Sequence, residues 1–188
     1  MKRNQLRCIC EGAVFVAAAL ALSYLKIPIG LSFGGFGGSI DLVMILLVFF
    51  AVRWGLGWGT AAGLIFGTLK FIFAGGVAIN WQSMLLDYSL AYMAVGLAGM
   101  VRNRKWSLVT GGFIGCICRF IIHFASGITI YAEWMPEEFL NMTMTNAWLY
   151  SLLYNATYML PNTVLVVAIG AAITVPLRKY VEKADLEG

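Results

Sequence analysis

Six stretches of the chain, residues 11–26, 39–52, 56–74, 81–101, 107–131 and 147–176, are apolar along almost their whole length. About 20 such residues are what a helix needs to cross ~30 Å of hydrocarbon, and a backbone in hydrocarbon must satisfy its hydrogen bonds within its own helix. The rest of the composition agrees: 61% of side chains are hydrophobic, 12% are charged, and the mean hydropathy is +0.83, against roughly half apolar and a quarter charged in a soluble domain. Six crossings use about 120 residues of the 188. The expected architecture is an all-α membrane protein, a single six-helix domain over residues 1–188, with a loop at 27–39 and a tail at 177–188. A self-contained pump with its own ATPase domain, a water-soluble enzyme and a nucleic-acid reader are excluded, although the pI of 8.9 might suggest the last.

The distribution of charge explains the pI. Lys2, Arg3, Arg7, Arg53, Arg102, Arg104, Lys105, Arg178, Lys179 and Lys183 fall on one side of the predicted spans, and Lys26 alone lies in a loop on the other. The positive-inside rule places the ten in the cytoplasm, so both termini are expected there, in a prokaryotic plasma membrane, and loop 27–39 outside. Lys70 and Arg119 lie within spans: Lys70 is near an outer end and is expected to snorkel, whereas Arg119 is central and must face protein or water. The start of the chain has the charge pattern of a secretory signal, but five further spans favour an uncleaved first helix. Cys8/Cys10 and Cys116/Cys118 are C-x-C pairs; neither they nor the single histidine fit a zinc site or a redox C-x-x-C. No metal or cofactor is expected.

Two features point to a ligand. Residues 28–39 read PIGLSFGGFGGS, with Phe33 and Phe36 among five glycines, a candidate lid. Asp87, His123 and Asn155 then fall about 9–12 Å below the outer ends of three different predicted helices, at ~1.5 Å per residue. Tyr88 adjoins the first, Ser126 and Gly127 follow the second, and Tyr150, Tyr154 and Tyr158 flank the third at helical spacing. Each has a structural reading: a membrane histidine or asparagine often ties helices together, a tyrosine ladder packs, and Asp87 can pair with Arg119. Their shared depth favours a polar, aromatic-walled pocket. Acidic and aromatic groups together suit a flat cationic or amino-bearing heteroaromatic ligand, with Glu133, Glu137 and Glu138 adding a field attractive to cations. An intramembrane protease fits poorly, because His123 and Ser126 share one helix and no G-x-S-G stretch is present.

On the first helix, Ala13, Ala17 and Ala21 recur every fourth residue, a smooth stripe that permits close helix–helix approach either within the bundle or with a partner. Collectively, A21-L-S-Y24, the run into G38-S-I-D-L-V-M44, R53-W-G55, Q82-S-M-L-L-D-Y-S-L-A-Y92, G96-L-A-G99, R119-F-I-I-H-F-A-S-G127 and Y150-S-L-L-Y-N-A-T-Y158 with Pro161 resemble the substrate-binding S components of energy-coupling-factor (ECF) vitamin transporters, and among them the thiamine-specific type. The resemblance covers nearly the whole chain.

It implies six helices and a high-affinity vitamin site near the outer face under the first loop. It also implies association with a transmembrane coupling protein and two ATPase subunits, which use the ATP. By motif position, Asp87 takes the place of an acidic ligand residue, His123 of a ring-contacting histidine, and Tyr150 and Asn155 of a pair bonding the aminopyrimidine. Gly127 matches a small residue beside the ligand; Tyr88, Arg119 and Tyr131 complete the expected site, and Phe36 stands for the lid aromatic. The alanine stripe corresponds to the surface that docks on the coupling protein. The chain departs from the pattern where the family often has glutamate (Asp87), proline (Ser89) and tryptophan (Tyr131). Two alternatives stay open: an S component for another vitamin or related small molecule, or a stand-alone secondary carrier or channel.

Overall fold

The computed structural model describes residues 3–29 and 37–182. Five apolar stretches are long enough to cross a membrane: α1 (Arg3–Leu22), α3 (Leu56–Phe73), the segment Trp81–Val101, α6 (Ser107–Thr129) and α7 (Ala147–Thr174). Between the first two lies α2 (Val43–Trp54), which has 12 residues and is therefore only ~18 Å long. All but Leu46 of its residues are buried. A helix apolar on every side belongs at the centre of a bundle, and α2 packs against α1, α3, α6 and α7.

Several helix limits differ from those expected. α1 starts at Arg3 rather than residue 11 because Arg7 and Glu11, one turn apart, pair at 2.8 Å and extend the helix through its polar end. α2 starts at Val43 rather than residue 39. Ile27–Pro28 (β1) instead pairs antiparallel with Ser39–Ile40 (β2), and Asp41 Oδ1 accepts from the Val43 amide at 3.2 Å, satisfying a free donor of the first helical turn. A second two-residue ladder joins Glu138–Phe139 (β3) to Met142–Thr143 (β4); the other regular elements among the described residues are helical, the last being the short α8 (Arg178–Val181).

The segment 81–101 departs furthest from the regular helix expected there. It runs as α4 (Trp81–Met84), a π-turn (Leu85–Leu90), α5 (Ala91–Val95) and a 3₁₀ turn (Gly96–Val101). Its backbone lies directly on α3, where Gly59, Gly63 and Gly67 recur every fourth residue. A Cβ on Gly63 would sit 2.1 Å from the Tyr92 carbonyl oxygen.

Hydrogen bonds gather the helix ends into two groups. At one end Glu11 accepts from Arg53 Nε at 2.7 Å and Trp54 Nε1 at 2.8 Å, Arg53 also donates to the Tyr180 carbonyl, and Arg102 Nη1 donates to the Trp54 carbonyl at 3.3 Å. At the other, Tyr24 and Lys26 donate to the carbonyls of Phe73 and Ala74 at 2.5 and 3.2 Å, closing the end of α3. The chain therefore threads up and down, with the start of α1 and α8 at one end.

Lys70 does not snorkel as the sequence suggests. It is 6% exposed, and its ammonium donates to Asp41 Oδ2 at 3.2 Å and to the Tyr92 hydroxyl at 2.6 Å. A carboxylate from the chain before α2 lies within reach, so pairing inside the bundle replaces the path to water. Removing one member of a buried pair strands the other charge, at about 3–5 kcal/mol. Lys70→Met is thus expected to lower the thermal stability of detergent-purified protein by that amount, and Lys70→Met with Asp41→Leu to regain most of it. A parental unfolding curve for the single variant would show that the pair carries no stability.

Candidate functional site: a polar cavity at one end of the bundle

A cavity of about 170 Å³ opens among the π-turn, α6, α7, the end of α3 and the chain at Gly37–Ser39, space for a small molecule rather than a single water. Asp87, Tyr88, Arg119, His123, Gly127, Tyr131, Tyr150 and Asn155 all line it. Of the sequence candidates, Phe36, together with Phe33 and the rest of the glycine-rich stretch 30–36, lies outside the described residues.

The polar groups form one chain. Arg119 Nε donates to His123 Nε2 at 3.2 Å, and a guanidinium can only donate. The imidazole therefore carries its proton on Nδ1, 3.0 Å from Asp87 Oδ1. Ser126 Oγ donates to the other carboxylate oxygen at 3.0 Å. Both carboxyl oxygens of Asp87 are thus fixed by bonds from α6 while the group faces the cavity. The same bonds exclude nucleophilic chemistry of the serine–histidine kind, because Ser126 and His123 are both tied to the carboxylate and not to each other. Asp87 pairs with His123 rather than with Arg119. Arg119 instead donates to the Tyr92 hydroxyl at 3.1 Å, its guanidinium carbon lying 4.3 Å from the Tyr92 ring centre. Its Nη1 is buried with no hydrogen-bond partner among the described residues, and the ring face supplies the compensating attraction.

The aromatic wall comes from α7. Tyr150, Tyr154 and Tyr158 pack in succession, the first pair tilted at 5.6 Å and the second edge-on at 6.0 Å, and His123 meets Tyr158 edge-on at 6.0 Å. Phe139, 4% exposed on β3, backs Tyr150 and Tyr154 at 5.4 and 6.0 Å, so the small hairpin holds the ladder from outside. Asn155 Nδ2 donates to the Ser151 carbonyl at 2.8 Å and its Oδ1 accepts from the Tyr158 hydroxyl; a second lone pair on Oδ1 stays available. Tyr150 and Asn155, five apart on a regular helix, nonetheless share the cavity because it is broad enough to span that divergence. The Tyr88 hydroxyl is engaged with the Val77 backbone at 2.7 and 3.2 Å, so it presents its ring rather than its oxygen. Burial, then the Asp87 carboxylate, pushes the Tyr131 phenol up to about 12, so that group acts as a neutral hydroxyl. Gly127 is small for a reason internal to the protein: a Cβ there would lie 2.1 Å from Ser151 Oγ, where α6 and α7 cross.

Lys70, Tyr92, Ser151 and Trp134 also line the cavity and are absent from the sequence-level candidates, as is Asp41 beneath it. The available signal for the buried pair was that Asp41 and Lys70 each sit inside an apolar run, where an unpaired charge is not tolerated. The chain entering α2 is fastened to the wall. Asn162 Oδ1 accepts from the Asp41 amide at 3.0 Å and its Nδ2 donates to the Ser39 carbonyl at 2.7 Å. The Gly37 amide donates to Tyr154 Oη at 3.1 Å, and that hydroxyl donates back to the Gly37 carbonyl. Gly38, at φ +93°, faces the Tyr158 ring where a Cβ would stand 2.5 Å from it.

Fold and site together define a multi-pass helical membrane protein with a polar, tyrosine-lined cavity at one end. The family model described as "Thiamine transporter protein (Thia_YuaJ)" matches residues 9–182, and the chain belongs to that family, whose members are transport proteins rather than enzymes. The thiamine transporter ThiT of Bacillus subtilis is 31% identical over 180 residues, covering 86% of this chain and 87% of the relative. That of Lacticaseibacillus paracasei is 29% identical over 199 residues, covering 97% and 94%. The solved structure of ThiT from Listeria monocytogenes superposes with a TM-score of 0.80 over 95% of this chain and 99% of that one, at 22% identity, a likeness of fold.

Tyr154→Phe removes both bonds to Gly37. Hydrogen exchange at the Gly37 amide is expected to speed up while global unfolding stays near parental; unchanged protection would place the anchor of this chain elsewhere.

Proposed function

We propose that the protein is the thiamine-binding S component of an ATP-driven ECF vitamin importer. The observation that carries the reading is the Asp87 carboxyl group, fixed by His123 and Ser126 inside a wall of tyrosines. Thiamine joins a cationic thiazolium to an aminopyrimidine, and such a ligand fits an anion set among aromatic faces. Asp87 takes the positive or amino-bearing edge, the free lone pair of Asn155 and the Tyr150 hydroxyl take the aminopyrimidine, and His123 and the tyrosine ladder take the ring faces. Family membership and the names of the two curated relatives support the choice of vitamin.

The coupling half of the reading rests on α1. Ala13, Ala17 and Ala21 are exposed while Val16 and Ala19, on the other face, are buried. The stripe is left uncovered by the protein's own helices, which supports a docking face for a transmembrane coupling protein that works with two ATPases. The basic residues at the end shared by α8 and the start of α1 support cytoplasmic termini, with the cavity facing outward and six crossings once α2 is counted with the extended chain before it.

Purified protein is expected to bind thiamine without ATP and to quench tryptophan fluorescence, since Trp134 lines the cavity. Asp87→Asn is expected to weaken binding by about 1–3 kcal/mol. Calorimetry and fluorescence that both stay flat with the parent would end the thiamine reading, and equal affinities would move Asp87 to a structural role.

Ala17→Trp, alone or with Ala21→Trp, points a large side chain outward. Affinity and unfolding temperature are expected to survive, while co-purification of the coupling protein and ATP-driven uptake are lost. An undiminished pull-down would refute the assigned interface, and a joint loss of folding and binding would show the stripe packing inside the bundle, where overpacking costs about 1–3 kcal/mol.

A further inference from the structure

Asp87 reaches the cavity from an irregular turn of backbone, and what shapes that turn is on the neighbouring helix. Residues five apart in an α-helix diverge by about 140°, whereas hydrogen bonding from i to i+5 in a π-turn brings them onto one face. Asp87 and Tyr92 are five apart, and both line the cavity. Asp87 lies within the π-turn Leu85–Leu90, and the hydroxyl that receives Lys70 and Arg119 follows it on α5.

The turn is seated on Gly67. A Cβ there would stand 2.2 Å from the Tyr88 carbonyl oxygen, 2.7 Å from its carbon and 3.2 Å from Ser89 Cα. All three neighbours are backbone, so no side chain can swing away to make room. One residue further on in each strand of this contact, Thr68 Oγ1 and Ser89 Oγ share a hydrogen bond of 2.9 Å, which ties the turn to α3 at that height. Tyr88 is the residue next to Asp87, so any displacement of its carbonyl moves the carboxylate relative to His123 and Ser126. We propose that Gly67 is a positioning residue for ligand charge recognition: its missing side chain admits the π-turn that aims Asp87 into the cavity. The inference rests on the thiamine-binding reading for its ligand and on the backbone contact for its mechanism.

The test compares thiamine with an analogue whose thiazolium is replaced by an uncharged aromatic ring, in the parent, Gly67→Ala, Asp87→Asn and the double variant. Gly67→Ala is expected to weaken thiamine by about tenfold or more, the scale of losing one charged contact, and to narrow the preference for the cation as Asp87→Asn does. In the Asp87→Asn background it is expected to add little, because residues acting through one contact are not additive. A fully additive loss, an unchanged preference for the cation, or parental affinity would each overturn the proposal. Should Gly67→Ala not fold, Ser89→Ala, which cuts only the tether, is expected to give a smaller loss coupled to Asp87 in the same way, and an additive one would overturn it. Hydrogen exchange at amides 88–91 reads the turn without any ligand: Gly67→Ala is expected to accelerate it, and parental exchange would overturn the proposal. A parent that binds neither ligand would instead end the functional reading, a result distinct from a normal parent beside an unaffected variant.

Discussion

Everything in the cavity half of this protein hangs from a row of charges that have no water to fall back on. Asp41, Lys70, Tyr92, Arg119, His123 and Asp87 pass hydrogen bonds from the chain before α2 through α3 and the irregular segment to α6. In a low-dielectric interior an unpartnered member would be costly, so each one fixes the position of the next. A carboxyl group stands at each end of the row, and the two cations between them share Tyr92. The order has a consequence for the cavity: the row ends at Asp87, which of its two carboxyl groups is the one that also faces the cavity, so the packed interior fixes where that group stands.

The π-turn lies in the same region, whereas the 3₁₀ turn that follows runs to the opposite end, against Gly55 and Leu56. A π-turn and a 3₁₀ turn within one apolar segment would leave weakened hydrogen bonds facing lipid if they were on the outside of the bundle, and non-helical backbone at such depth is tolerated only against protein or a cavity. Here the π-turn lies between α3 and the cavity, with α6 alongside. The glycines of α3 allow that arrangement by letting the two backbones meet without side chains between them.

The membrane class, the helices and most of the cavity wall were legible in the sequence because they depend on one segment at a time. Hydropathy finds a run, and a polar residue within it has a depth; Asp87, His123 and Asn155 were found in that way. What was missed depends on two segments at once. Lys70 reads as a snorkelling lysine until Asp41 is placed opposite it, and Asp41 reads as a residue at the edge of a loop until β1 and β2 pair and turn it inward. Segment 81–101 reads as a plain helix, since nothing in its own residues announces a π-turn; the cause sits on α3. Phe139 belongs to a stretch without hydropathic signature, and its place behind the tyrosines follows from a hairpin only two residues long on each side.

The stripes of small residues at every fourth position on α1 and α3 have opposite physical meanings. On α1 the alanines are exposed, so each methyl group ends the protein's own packing and a larger side chain there would extend into the surroundings. On α3 the glycines are filled by the carbonyls of Tyr88 and Tyr92 and by the Ala51 side chain, so a single methyl would push backbone against backbone. Spacing alone cannot tell these cases apart, but residue type gives a hint, because alanine suffices where side chains meet a smooth face and only glycine admits a carbonyl. Substitution on α1 therefore acts on whatever lies outside the bundle, whereas substitution at Gly67 is one peptide away from the carboxylate that faces the cavity.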